Sequence, residues 1–228
     1  MHRNILFLGV AITILLAVPG AKAGTQPPRE DIEWIDIWMP HTNEHALPRV
    51  LLIGDSITRN YNPFVEKALQ GKAYVCRLTT SHFISDPLLL GQITLLLGQM
   101  KFDVIHFNNG MHGFQHTEEE YRAAFPAYLA AIRDHAAGAK LIWASTTPVR
   151  QSHHIEQLDP RTERVKVRNA IASEFVSKEG IPVDDLYALV LPHPEYNDAA
   201  GVHFTVPGEQ AQAAQVAAEI EKVLPPAK

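Results

Sequence analysis

The chain has 228 residues, of which 46% are hydrophobic and 20% charged, an ordinary globular composition with enough length to bury one sizeable core. Its formal charge of −5, with no basic patch, argues against a nucleic-acid partner. Cys76 is the single cysteine, so no intramolecular disulfide can form; its place in the apolar run Ala73-Tyr74-Val75-Cys76 marks a buried structural thiol.

Taken in chain order, residues 1–23 have the form of a secretory signal peptide. Arg3 supplies a positive n-region, residues 5–18 an apolar h-region and Ala21-Lys22-Ala23 an A-x-A cleavage site. The apolar run is shorter than the roughly 20 residues of a spanning helix, and no later segment is long and apolar enough to cross a bilayer. Cleavage after Ala23 is expected, with a secreted or periplasmic product and no stable membrane insertion. Removing Arg3 and Lys22 and no acid takes the 20 basic residues to 18 against 25 acidic, and the net charge from −5 to −7.

Residues 24–47 begin proline-rich and polar but contain Ile32, Trp34, Ile35, Ile37 and Trp38, too many large apolar side chains for a solvated tail. This segment is expected to pack on the domain of residues 48–228, although a tryptophan face also suits a sugar site. Beyond Pro48, strands are expected at 49–54, 72–77, 102–108, 139–146 and 181–186. Helical spacing occupies 63–69, 87–100, 117–137 and 161–178, and residues 207–223 close the chain. Thr117 and Glu120 make a capping box, and Pro126 predicts a kink. The alternation specifies an α/β protein: a three-layer α/β/α sandwich with a central five-stranded parallel sheet. Ligands of such sheets bind outside the carboxyl ends of the strands, where Ser56 and residues 108–112 would lie.

Two short blocks carry chemistry. Gly54-Asp55-Ser56-Ile57 ends the apolar run Val50-Leu51-Leu52-Ile53 and sets a serine just past a buried strand, while Gly201-Val202-His203-Phe204 supplies a distant histidine. A serine hydroxyl is a weak nucleophile until a base accepts its proton, and the oxyanion formed on attack needs donors already aimed at it. Ser56 and His203 fit nucleophile and base; a serine after Gly-Asp can equally cap a helix. The histidines do not make a metal site by spacing: His112 and His116, and the pair His153-His154, lack the cysteines or carboxylates of a recognisable ligand set. His106, inside an apolar strand, reads as a core histidine.

Over about residues 48–223 these blocks resemble the SGNH hydrolases, also called the GDSL esterase/lipase family. The resemblance implies a flavodoxin-like sheet and a carboxylic ester hydrolase that needs no cofactor, with Ser56 in the G-D-S block and His203 in the D-x-x-H block. The third block, G-x-N-D, lends an asparagine to the oxyanion hole. Here it falls on Asn108-Asn109-Gly110-Met111-His112-Gly113, with Gly110 at the glycine, His112 at the asparagine, and Asn108 or Asn109 as other donors. An Asn-Gly turn ending a strand is the alternative. The second block normally offers a glycine N–H; Ser85 is the implied equivalent in a stretch, residues 81–86, that has no glycine. The aspartate of D-x-x-H is replaced by Ala200, which cannot orient an imidazole. Asp198 is the expected orienter, with Glu195 the other near carboxylate; both also suit a solvated loop. Secreted members of the family often remove acetyl groups from carbohydrates, so the implied substrate is a small ester or an acylated carbohydrate. Ala200 and the missing glycine equally admit a catalytically impaired carbohydrate-binding protein on the same fold.

Overall fold

The computed structural model describes residues 28–226, so the expected signal peptide and its cleavage site lie outside the described residues. In chain order the first half runs β1 (Ile35–Trp38), β2 (Arg49–Gly54), α1 (Ser56–Ala68), β3 (Tyr74–Thr80), α2 (Pro87–Gln99), β4 (Val104–Phe107) and α3 (Glu118–Arg133). The second runs β5 (Lys140–Ala144), β6 (Arg150–Gln151), β7 (His154–Leu158), α4 (Arg161–Lys178), β8 (Val183–Asp184), α5 (Leu186–Val190) and α6 (Val206–Glu221).

Strand β2 is buried at every position because it lies inside a sheet covered on both faces. Its side chains alternate. Val50 and Leu52 join Val75, Val104 and Ile142 in a core with Ile57, Tyr61 and Val65 of α1 and Val216 and Ile220 of α6. Leu51 and Ile53 join Cys76, Leu78, Ile105 and Trp143 under α2, α3 and α4. The result is the three-layer α/β/α sandwich. The Cys76 thiol is buried and burial holds its pKa up, as suits a packing group.

The sheet order is β1-β3-β2-β4-β5-β8, with the five strands from β3 to β8 parallel and arranged as in a flavodoxin-like fold. The sheet therefore has six strands rather than five. β1 adds antiparallel to β3, with Ile35 opposite Thr80 and Trp38 opposite Arg77. The apolar residues of this segment do not bury as their composition leads one to expect: Ile32 is 77% and Trp38 53% exposed. Backbone pairing holds the segment instead, helped by an Arg77–Asp36 ion pair at 2.8 Å.

Two helix ends differ in instructive ways. α1 starts at Ser56, not Pro63, because the Asp55 carboxylate caps it by accepting from Ile57 N at 2.8 Å, and the helix continues through the proline. The α3 start is as expected: Glu120 N donates to Thr117 Oγ1 and Thr117 N to the Glu120 carboxylate. That helix also runs on through Pro126.

Candidate active site

Ser56 is the first residue of α1, directly after the carboxyl end of β2. Its Oγ lies 2.8 Å from His203 Nε2, across 147 positions of sequence. Neither residue is fully buried, so both meet solvent. His203 is carried by a tight loop between the 3₁₀ turn Pro194–Tyr196 and α6. An Asn197–Phe204 bridge and a Thr205 N to Tyr196 O bond of 2.8 Å close that loop, and buried Phe204 anchors it. Gly201, at φ +80°, lets the loop approach β6: Arg150 N donates to Gly201 O at 2.7 Å, and a Cβ would overlap the Arg150 carbonyl.

The expected orienting role of Asp198 is corrected by the geometry. Its Oδ1 accepts from Ala200 N at 3.0 Å and Gly201 N at 3.1 Å, so the carboxylate folds under its own turn. Glu195 pairs with His193 at 2.8 Å. Among the described residues no carboxylate comes within 4.0 Å of a ring nitrogen of His203. Glu209, in the first turn of α6, feels His203 only through space: burial raises its carboxyl and the imidazole charge lowers it. The observed unit is thus a Ser–His dyad.

The 108–113 turn leaves β4, the strand next to β2, and Asn108 N donates to Ile53 O at 2.9 Å. Asn108 is not a free oxyanion donor. Its amide gives both protons to the protein, to Ala144 O at 2.7 Å and Thr146 Oγ1 at 3.0 Å. Asn109 donates to His82 O at 3.0 Å and is equally buried. A Cβ on Gly110 would overlap the Thr146 hydroxyl, so any larger residue there would have to displace the Thr146 side chain. His112 differs from its neighbours: Nδ1 is bonded to Glu30, but Nε2 is buried without a partner.

Arg168 of α4 builds this turn, a role the sequence reading missed. The fully buried guanidinium donates to Gly110 O at 3.0 Å, His112 O at 2.7 Å and Gly113 O at 2.9 Å. It lies over the rings of Phe114, Tyr121 and Phe83, 4.8 to 5.5 Å from their centroids. Burial lowers its pKa, though a guanidinium stays charged. The available signal was its position on the buried stripe of α4 with Val165, Ile171 and Ala172.

Ser85 is exposed in the turn before α2 and shares a narrow crevice with Pro28, Glu30 and Glu33 of the N-terminal arm. That arm packs beside the 108–113 turn, with Glu30 bonded to His112. Trp34 N donates to Ser81 Oγ at 2.9 Å, and the Trp34 ring carries the Arg59 guanidinium 4.6 Å from its centroid. The histidines singled out by spacing have other partners: His116 stacks on Phe83 at 4.1 Å and donates to Pro28 O. Among the described residues Glu33, His82 and Asp86 form a metal-type cluster, with ligand atoms within 4.8 Å of one another. The Arg29 guanidinium pairs with both carboxylates and supplies the positive charge there. His106 bonds Asp184 at 2.9 Å in the core, with Nδ1 unpaired. Two larger concavities, about 410 and 460 Å³, are lined by Tyr74 and by Arg49 and Asp103, at the amino ends of the strands and away from the dyad.

No protein-family model and no curated protein sequence matches the chain. Solved structures do. A lipase/acylhydrolase from Enterococcus faecalis is 21% identical with a TM-score of 0.62, covering 79% of this chain and 99% of its own. The M. smegmatis aryl esterase is 14% identical with a TM-score of 0.64, covering 78% and 100%. A carbohydrate acetylesterase from Sinorhizobium meliloti is 11% identical with a TM-score of 0.63, covering 77% and 99%. The chain has the SGNH hydrolase fold.

Proposed function

We propose that the chain is an exported serine esterase that hydrolyses small carboxylic esters, including O-acetyl groups on carbohydrates, through the Ser56–His203 dyad. The observation that carries this is the 2.8 Å contact between Ser56 Oγ and His203 Nε2 at the carboxyl end of β2. In the reaction Ser56 Oγ attacks the acyl carbon as its proton passes to His203 Nε2, and the carbonyl electron pair becomes the oxyanion. Ser56 N–H, at the amino end of α1, is free of intrahelical bonding and faces the favourable pole of the helix. Collapse expels the alcohol, which takes the proton from His203; water then repeats the cycle on the acyl-enzyme. Secretion after cleavage at Ala23 belongs to the same reading, and the intact mass of the exported product checks it.

A second reading, a catalytically impaired carbohydrate-binding protein, is favoured by one observation: among the described residues His203 has no orienting carboxylate. Where a triad has been dissected, losing that group costs about 10⁴ in turnover. Hydrolysis of an activated acetyl ester by the mature protein decides between the two. The esterase reading expects Ser56→Ala to lower the rate by about 10³ or more. Equal background rates in both proteins, with retained sugar binding, support the second reading.

A further inference from the structure

Where the N-terminal arm crosses the carboxyl end of β3, three ligand-type side chains converge. Glu33 Oε2 and Asp86 Oδ2 lie 3.3 and 3.2 Å from His82 Nδ1. His82 and Asp86 are more than nine-tenths buried. The His82 Nδ1 atom is closed to solvent and, with two carboxylate oxygens this near, makes a hydrogen bond to neither. An imidazolium held by a carboxylate aims its N–H along the line to one oxygen. Here the nitrogen stands at nearly equal range from two oxygens and in line with neither. Atoms that share a metal ion have this arrangement: ligands about 2.0–2.1 Å from a tetrahedral Zn²⁺ stand about 3.3 Å apart.

The backbone holds each ligand in place, as a metal site requires. Trp34, next to Glu33, donates its N–H to Ser81 Oγ, and its carbonyl accepts from Ser81 N at 3.2 Å and Thr80 Oγ1 at 2.9 Å. His82 N donates to Thr80 Oγ1 at 3.1 Å, and the His82 carbonyl accepts from the Asn109 amide at 3.0 Å. Asp86 divides its carboxylate. Oδ1 caps α2 by accepting from Leu88 N at 2.8 Å, which leaves Oδ2 for the cluster.

We infer that Glu33, His82 and Asp86 form a Zn²⁺ site that staples the arm to the β3–α2 turn, with Arg29 as a tethered cation that takes the ion's place in the metal-free protein. One imidazole and two carboxylates suit zinc, whereas Mg²⁺ and Ca²⁺ prefer oxygen alone. Arg29 Nη1 lies 3.0 Å from Asp86 Oδ2 and also pairs with Glu33. Its charge cancels one of the two carboxylates; Zn²⁺ on a neutral His82 cancels both. The Arg29 side chain is 33% exposed, so it can turn out to solvent without opening the core. Glu33 and Asp86 also line the narrow crevice with Pro28 and Ser85, which leads in beside them. No step of ester hydrolysis passes through the ion, and the inference does not depend on the esterase reading.

Calorimetric titration of the chelator-stripped protein with zinc chloride tests this. Wild type should bind one Zn²⁺, and Arg29→Gln, which lacks the competing charge, should bind it at least about tenfold more tightly. Glu33→Gln and Asp86→Asn should each weaken binding at least about 100-fold. Asparagine still caps α2, so Asp86→Asn removes the ligand and keeps the helix start. Melts in chelator show that each variant is folded, and saturating zinc should raise the midpoint of wild type but not of Glu33→Gln. In nitrogen-15 NMR, zinc should shift His82 Nδ1 and leave the exposed pair His153-His154 in place. The proposal is overturned if wild type and Arg29→Gln both lack one-to-one binding, or if binding survives undiminished in Glu33→Gln and Asp86→Asn. Should a variant fail to fold, the wild-type spectrum decides: zinc that leaves the His82 Nδ1 signal unmoved overturns the site.

Discussion

On the proposed esterase reading, Ala200 and the inward-folded Asp198 leave His203 without an orienting acid among the described residues. Asp198 spends its Oδ1 on the amides of Ala200 and Gly201. Asparagine keeps that oxygen, so Asp198→Asn should leave kcat/KM within about twofold of wild type, whereas a triad acid would lose about 10⁴. The reverse change is more informative. Ala200→Asp places a carboxylate where the D-x-x-H block has one and should raise kcat by about tenfold or more with little effect on KM. Steady-state kinetics on one activated ester measure both, and a large loss in Asp198→Asn would restore that residue to the triad.

At the scale of elements, α4 is more than a cover for the sheet. It delivers Arg168 into a ring-lined cavity and fastens the 108–113 turn through three carbonyls. Replacing the guanidinium strands those acceptors in a buried place, and methionine fills the volume without donating. Arg168→Met should lower stability by about 3–5 kcal/mol, read as a fall in the urea midpoint at unchanged slope. Arg168→Lys should recover only part of it, because an ammonium cannot reproduce the planar fork. The α1 start shows a related economy: Asp55 caps the helix, and its charge also reaches His112.

Over the whole molecule, the N-terminal arm and β1 tie the site to the sheet edge. The arm is fastened by the Glu30–His112 pair, and its contribution depends on pH from both sides. Glu30 is lowered from its ordinary 4.5, so its share is present above that value and is lost as pH falls through the folded pKa. His112 is raised from its ordinary 6.5, so its share is complete below that value and is lost as pH rises through the folded pKa. The stabilisation should therefore be greatest between about pH 4.5 and 6.5. Thermal melts of wild type and Glu30→Gln across pH check this: the gap between the two should narrow on both sides of that window. A constant gap would show that the pair does not hold the arm.

How much was legible follows from the range of each interaction. The parallel strands were readable because both faces of each are buried, which forces apolar runs such as Val50-Leu51-Leu52-Ile53 in any context. The Thr117–Glu120 cap was readable because both partners lie within one turn. β1 was not, because an edge strand held by backbone bonds leaves its side chains exposed and carries no clean alternation. Ser56 and His203 could be named from local blocks, but only the tertiary structure brought them to 2.8 Å. The sequence by itself determined the layer order of the sandwich and picked out Ser56 and His203 as a candidate pair. The tertiary structure decided that Asp198 turns away from His203, that Arg168 builds the turn and that Glu30 holds His112. The last two depend on polar partners 55 to 58 and 82 positions apart in the chain, and hydrogen bonds over such distances leave no period in a sequence.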